Sequence, residues 1–430
     1  METILSFNTY IEQSIINNWD NDALTDYKGV TLQYHDVARK IEKLHILFEN
    51  SGVKKGDKIA VCGRNSSNLG VTFLAILTYG AVVVPIQNEF TPDQVYNIVN
   101  HSDSRLLFVG DVVATTIDAE QMPSLEGVVY IPDFSVIVSR SEKLTYAREH
   151  LNEIFGRKFP KYFRKEHVHY YIDEQPEEIA MINYTSGTTG FSKGVMIPYR
   201  ALWGNIDFTI QDIGSKLQQG SKMLSILPMA HMYGLMVEFF FGFCSGYHIY
   251  FLIRLPSPTF IAEALAEVKP AIVVSVPLVV EKIVRKLVFP TIQTNKVRLL
   301  MNMPVISKKV KEKICERVRN IFGGNMYEVI VGGAGLNPEV EGFLCSIGFP
   351  ITMGYGTTET APMITYSDTS DFQAGSCGTP VRHMDVKILS DDPENIPGEI
   401  VTRGINVMKG YYKNEEATSA VLDSDGWYHT

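Results

Sequence analysis

Apolar residues fall mostly in short continuous runs rather than in strict alternation, and Val and Ile dominate those runs. Such runs mark strands buried on both faces. The pattern predicts strands at 58–62, 81–85, 105–109, 127–131, 179–184, 223–227, 247–252, 271–275 and 327–331. Helical spacing appears between several of them. Its openings are Thr91-Pro92-Asp93, Ser257-Pro258-Thr259 and Asn337-Pro338-Glu339, where a capping side chain precedes a proline at the first helical position. Strands and helices in alternation predict an α/β fold with two helix-covered, largely parallel sheets. Two nearly uncharged stretches, 69–86 and 234–253, approach the roughly 18–20 residues that span a bilayer. Gly80 divides the first and Cys244-Ser245-Gly246 the second, so each reads as a buried helix feeding a buried strand. From about residue 375 short strands with Gly-Pro turns predict a small antiparallel β-barrel or sheet. The expected division is a first α/β subdomain over 1–175, a second over 176–355 and a barrel-like subdomain over 356–430.

At 430 residues the chain has room for about two or three domains, and its 45% hydrophobic and 20% charged residues exclude a disordered or collagenous chain. The net charge of −9, 39 basic against 48 acidic residues, argues against a general nucleic-acid binder. Five scattered cysteines, none in C-x-x-C spacing, suggest neither a disulfide framework nor a zinc site. The first 27 residues hold no Lys or Arg, so a basic signal region is missing and a cytoplasmic location is expected. Within the weakly patterned stretch 112–165, the final nine residues carry five basic and three aromatic side chains. A solvated face is the plain reading; contact with a membrane or an acidic partner is the alternative.

Candidate chemistry concentrates in three segments. The first, Tyr184-Thr-Ser-Gly-Thr-Thr-Gly-Phe-Ser-Lys-Gly-Val195, follows a predicted strand and is expected to lead into a helix. Its glycines permit close backbone approach, its hydroxyls (Thr185, Ser186, Thr188, Thr189) add donors, and Lys193 adds charge, a set suited to surrounding a polyphosphate. It is not a Walker A loop, because Gly194 rather than Ser or Thr follows the lysine. The second, Gly354-Tyr-Gly-Thr-Thr-Glu359, ends in a carboxylate of the kind that holds Mg²⁺ beside nucleotide phosphates. The third, Gly332-Gly-Ala-Gly335, fails as a dinucleotide fingerprint because Pro338 stands where the third glycine belongs.

With Pro228-Met-Ala-His231-Met-Tyr-Gly234, Gly398-Glu-Ile-Val-Thr-Arg-Gly404, Lys409-Gly-Tyr-Tyr412 and Asp425-Gly-Trp-Tyr-His-Thr430, these segments follow in the order found in the adenylate-forming enzymes, which the chain resembles over most of its length. The resemblance implies the large N-terminal domain of that fold and the acyl-CoA synthetase branch. It implies ATP and Mg²⁺, a medium- to long-chain fatty acid as substrate and CoA as acceptor. By the same resemblance Thr185, Ser186, Gly187, Thr188, Thr189, Gly190 and Lys193 surround the phosphates. Gly333, Ala334, Gly335, Tyr355, Gly356 and Thr357 contact the nucleotide, Thr358 lies at the α-phosphate, and Glu359 with Thr185 holds the metal. His231, which alone reads as a capped or core histidine, would border the acyl carboxylate. Amino-acid-activating relatives carry an aspartate at that place, so a simple carboxylic acid is favoured. The run Phe239-Phe240-Phe241 fits either an acyl tunnel or a core helix face.

The family pattern continues beyond Thr430 with Gly-Asp, a hinge and a small mobile domain carrying a catalytic lysine, so the chain is expected to be the N-terminal portion of a longer enzyme with poor activity by itself. The alternatives are an adenylating enzyme for an aryl or amino acid that delivers to a carrier protein, and a nucleotide-binding module without catalysis. A hydrolase built on Gly242-Phe-Cys-Ser-Gly246 is disfavoured by the apolar surroundings of Cys244.

Overall fold

The computed structural model describes residues 6–170, 173–185, 193–253, 257–292 and 307–430. Its local elements follow from short-range chemistry. Helix Ser67–Tyr79 starts where the Ser66 hydroxyl accepts from the Leu69 N–H and stops at Gly80, whose φ of 84° is easy for a residue without Cβ. The fully buried strand Val82–Ile86 follows at once. Thr91, Ser257 and Asn337 cap their helices with Pro at the first turn, as the sequence predicts.

One sheet of eight strands runs Gly410–Tyr411, Lys193–Pro198, Ile179–Thr185, Val82–Ile86, Lys58–Cys62, Leu106–Val109, Gly127–Tyr130, Ser135–Ser139, with its central pairs parallel. The second, of seven, runs Ile351–Met353, Glu328–Val331, Ile272–Ser275, Lys222–Ser225, His248–Phe251, Asp22–Asp26, Thr31–Gln33, and only its terminal hairpin is antiparallel. Alternate residues of one strand feed different cores, which is why the runs are continuous. Ile59, Val61, Leu106 and Phe108 face a core shared with Met223, Ile249 and Ile272 of the other sheet. Ala60, Cys62, Leu107 and Val109 face the outer core, under helix Pro92–Ser102. A third core covers the far side of the seven-stranded sheet with Leu224, Val273, Ile261 and Val340.

Sheet membership does not follow chain order. The early strand Asp22–Asp26 pairs with His248–Phe251 through Leu24 and Ile249, whereas Ile179–Thr185 and Lys193–Pro198 belong with the early strands. Two expectations need correction. The segment after Lys193 is not a helix but the strand Lys193–Pro198, antiparallel to Ile179–Thr185, with Thr185 opposite Lys193. Its β-branched Val195 and Ile197 alternate into the core, and the helix Tyr199–Phe208 begins only after Pro198. The antiparallel C-terminal region forms no closed barrel among the described residues. Its strands divide between Tyr355–Gly356, Met363–Tyr366, Thr379–Pro380 and Met384–Leu389, Glu399–Gly404, Tyr428–His429, while Gly410–Tyr411 joins the eight-stranded sheet. Strands of two residues are too short to close on one another, and the edge of the large sheet offers a longer partner.

Candidate active site

Parallel strands direct the segments that follow them to one edge of a sheet, where ligands of open α/β folds bind. Strand Glu328–Val331 delivers Gly332 and Gly333 there, and Ile351–Met353 delivers Gly354 to Thr358. The Gly354 N–H donates to the Val331 carbonyl at 2.9 Å, tying the two exits together. Between them and the His231 segment lies a cleft of about 310 Å³, lined by His231, Tyr233, Gly333, Tyr355, Thr358 and their neighbours. Gly356 cannot carry a side chain, since a Cβ would sit 1.9 Å from the Pro362 carbonyl oxygen.

Three side chains, Asn183 and Glu238 buried and Asn65 half-buried, hold the His231 segment. Asn183 Nδ2 donates to the Ala230 carbonyl at 3.0 Å, and Asn65 donates to the Leu227 carbonyl at 2.7 Å while accepting from the Met229 N–H at 2.9 Å. Glu238, wholly buried, meets the N–H groups of Ile226 and Leu227 and the Ser225 hydroxyl, and burial pushes its carboxyl up to about 8. His231 itself is exposed at the cleft, with Nδ1 3.5 Å from Gln87 Nε2. Surrounding protein lowers its imidazole pKa, with the Glu89 carboxylate opposing, so the neutral ring prevails at pH 7.

The glutamate turn is held as firmly. Asn205, buried in helix Tyr199–Phe208, donates to the Thr360 carbonyl at 3.2 Å and accepts from the Met363 N–H at 3.0 Å. The Met408 N–H donates to the Glu359 carbonyl at 2.8 Å. The Glu359 carboxylate accepts from the Tyr411 hydroxyl at 2.8 Å, and the Lys193 ammonium lies 4.9 Å from the centroid of that same Tyr411 ring. Burial first, then Glu359, hold the Tyr411 phenol well above its ordinary pKa, so it remains a donor. Thr185, Lys193, Tyr411 and Glu359 are thereby joined, although they come from distant parts of the chain.

The structure thus places His231, Gly333, Tyr355, Gly356, Thr357 and Thr358 on one cleft and Glu359 next to it. Ser186, Gly187, Thr188, Thr189 and Gly190 lie outside the described residues. Ala334 and Gly335 are exposed beyond Gly333 and do not line the cleft. Phe239, Phe240 and Phe241 are core residues, with no exposed surface and no place in the cleft lining. Burial pushes the Cys244 thiol well up, away from a nucleophile. Sequence reasoning missed Asn65, Asn183, Asn205 and Tyr411. Tyr411 alone carried a signal, as part of the Lys409-Gly-Tyr-Tyr412 stretch.

Among the described residues no three His, Cys, Asp or Glu side chains converge as a metal cage. Mg²⁺ bound with nucleotide phosphates needs only one or two protein carboxylates. Glu359, with one oxygen already oriented by Tyr411, suits that task, since ligating carboxylates are themselves usually hydrogen-bonded.

At the strand ends of this α/β fold Lys193, Tyr411 and Glu359 thus converge beside a glycine-lined cleft. The chain belongs to the AMP-binding enzyme family, whose model matches residues 11–412. It is similar to long chain acyl-CoA synthetase 6, peroxisomal, of Arabidopsis thaliana, with 28% identity over 94% of this chain and 60% of that protein. It is likewise 26% identical to long-chain-fatty-acid–CoA ligase 6 of Mus musculus, over 93% of this chain and 60% of that protein. Its fold matches the N-terminal domain of FACL13 from Mycobacterium tuberculosis with a TM-score of 0.75 at 19% identity, covering 99% of this chain and 96% of that one. ATP-bound MatB from Rhodopseudomonas palustris matches with a TM-score of 0.72 at 20% identity, over 99% of this chain and 75% of that one. The chain spans about three-fifths of the length of these curated relatives. No helix among the described residues is long and apolar enough to cross a membrane.

Proposed function

We propose that the chain is the nucleotide- and acyl-binding portion of an AMP-forming acyl-CoA synthetase acting on medium- to long-chain fatty acids. The observation that carries this reading is the convergence of Lys193, Tyr411 and Glu359 beside a cleft bordered by His231 and Tyr355. A free carboxylate is a poor acyl donor because its leaving group would be oxide. Attack of a carboxylate oxygen on the α-phosphorus of ATP forms the acyl–phosphate bond, breaks the bond to the β-phosphate and expels pyrophosphate. The CoA thiol then takes the acyl carbon and AMP leaves.

In this scheme no side chain becomes a covalent nucleophile, and the protein's part is positioning and charge stabilisation. Lys193 meets the departing pyrophosphate, and Thr358 lies at the reacting phosphoryl group. Tyr355 and the backbone of Gly333 border the adenine. Mg²⁺, held by Glu359 with Thr185, supplies neutralisation of phosphate charge. The neutral His231 donates an N–H to the acid without fixing a charge. The similarity to long-chain acyl-CoA synthetases supports the fatty-acid assignment.

A panel of fatty, aryl and amino acids assayed for pyrophosphate release with ATP, Mg²⁺ and CoA distinguishes these readings. Release driven by fatty acids supports the proposal. Release driven only by amino acids transfers the assignment to the alternative, and a chain that binds no Mg·ATP at all removes the acyl-activation reading.

A further inference from the structure

Segment 157–165 concentrates positive charge in a chain whose net charge is −9. It is built on rings. Phe155–Phe159, Phe159–Phe163 and Phe159–His167 have centroids 5.1, 5.0 and 5.0 Å apart, and Phe163 reaches Trp19 at 6.1 Å. The turn after helix Leu151–Lys158 is thereby anchored, so its cations project from a fixed base. Two of them are paired, Lys158 with Glu42 and Arg157 with Glu153, each at 2.7 Å. Lys161, Arg164 and Lys165 are exposed and form no ion pair with any described residue. Among them Tyr162 is 72% exposed, with the Arg164 guanidinium 5.9 Å from its ring centroid. A concavity of about 470 Å³ opens between Lys161, Tyr162, Arg164 and His167. Lys43 of helix Tyr34–Ser51 extends the positive field, 5.4 Å from the Phe155 ring centroid. Burial first, then Arg39 and Arg148, hold its ammonium below the ordinary value, a crowding of like charge that an anionic partner relieves.

We propose that this face docks on an anionic phospholipid surface, with Lys161, Arg164 and Lys165 at the headgroups and Tyr162 inserted at the interface. Amphipathic rings settle at the headgroup level, and basic side chains on flexible stems reach phosphates without a fixed geometry. The helix Ser307–Ile321 is also basic, but it carries no aromatic residue, so charge alone does not single out the docking face.

The test is co-sedimentation of the 430-residue chain with vesicles of phosphatidylcholine alone and of an equimolar phosphatidylcholine and phosphatidylserine mixture. No ATP or acid is present, so the outcome is independent of the acyl-activation reading. Binding is expected to the mixed vesicles only, weakening as salt rises. Each basic side chain near an anionic leaflet is worth about a fivefold change in partitioning, so K161E/R164E/K165E should lower binding by on the order of 10²-fold or more. Tyr162→Ser should weaken binding without changing its salt dependence. K308E/K309E/K313E, on the comparison helix, should retain it. Equal binding to both vesicles, retention by the first triple variant, loss only in the second, or binding to heparin but not to vesicles would each overturn the proposal.

Discussion

Tyr411 donates to a Glu359 oxygen at 2.8 Å and lies face-on to Lys193, so one ring positions both the proposed metal carboxylate and the proposed phosphate cation. Tyr411→Phe separates these tasks, because the ring and the cation–π contact remain while the hydroxyl goes. Metal affinity depends on such outer hydrogen bonds by about 10- to 100-fold, so this variant should need that much more Mg²⁺ to reach the same ATP-induced melting shift. Glu359→Gln should lose the Mg²⁺-dependent part of the shift entirely. Thermal melts across a Mg²⁺ titration read both. An unchanged titration in Tyr411→Phe would remove Tyr411 from the site, and an unchanged one in Glu359→Gln would remove the metal from Glu359.

At the scale of elements, helix Tyr199–Phe208 is the brace of the site. It presents Asn205 to the 360–363 turn on one side, and through Arg200 it donates to the carbonyls of Ile405 and Val407 at 2.6 and 2.7 Å on the other. Asn205→Ala leaves the Thr360 carbonyl and the Met363 N–H without their partner in a buried place, which costs about 1–3 kcal/mol for each unsatisfied group. The variant should fold with reduced stability in urea, and its Mg·ATP melting shift should shrink, since the Glu359 turn loses its anchor. Reduced stability with a full ligand shift would show that the turn holds itself. The strand Lys193–Pro198 belongs to the same logic. Lys193 opens a strand paired with the one that ends in Thr185, so the cation is fixed by sheet register and not by a helix N-terminus.

Across the whole molecule, stability should follow the buried carboxyl of Glu238, whose pKa rises from an ordinary 4.5 to about 8 on folding. Between those values the folded state binds more protons than the unfolded one, so the stabilisation is complete below about pH 4.5 and is lost as pH rises through about 8. Glu238→Gln, which keeps an acceptor for the Ile226 and Leu227 N–H groups, should flatten that decline in denaturant titrations between pH 5 and 8. An equal slope in the variant would assign the pH dependence elsewhere. What the sequence by itself determined is local. Val/Ile runs, caps such as Thr91 and the left-handed Gly80 act within a few residues, and the expected strands recur within one or two positions. The order of the motifs likewise announced the family, because it is a property of the chain alone. Tertiary structure decided the rest. Asn65 holds the His231 segment from 164 residues away, Asn183 from 47, and Tyr411 meets Glu359 across 52. Such pairs depend on which strand lies beside which, and that order is set by covering both faces of two sheets at once. The same global burial placed Phe239–241 in the core, joined Gly410–Tyr411 to the larger sheet instead of a barrel, and turned the segment after Lys193 into a strand.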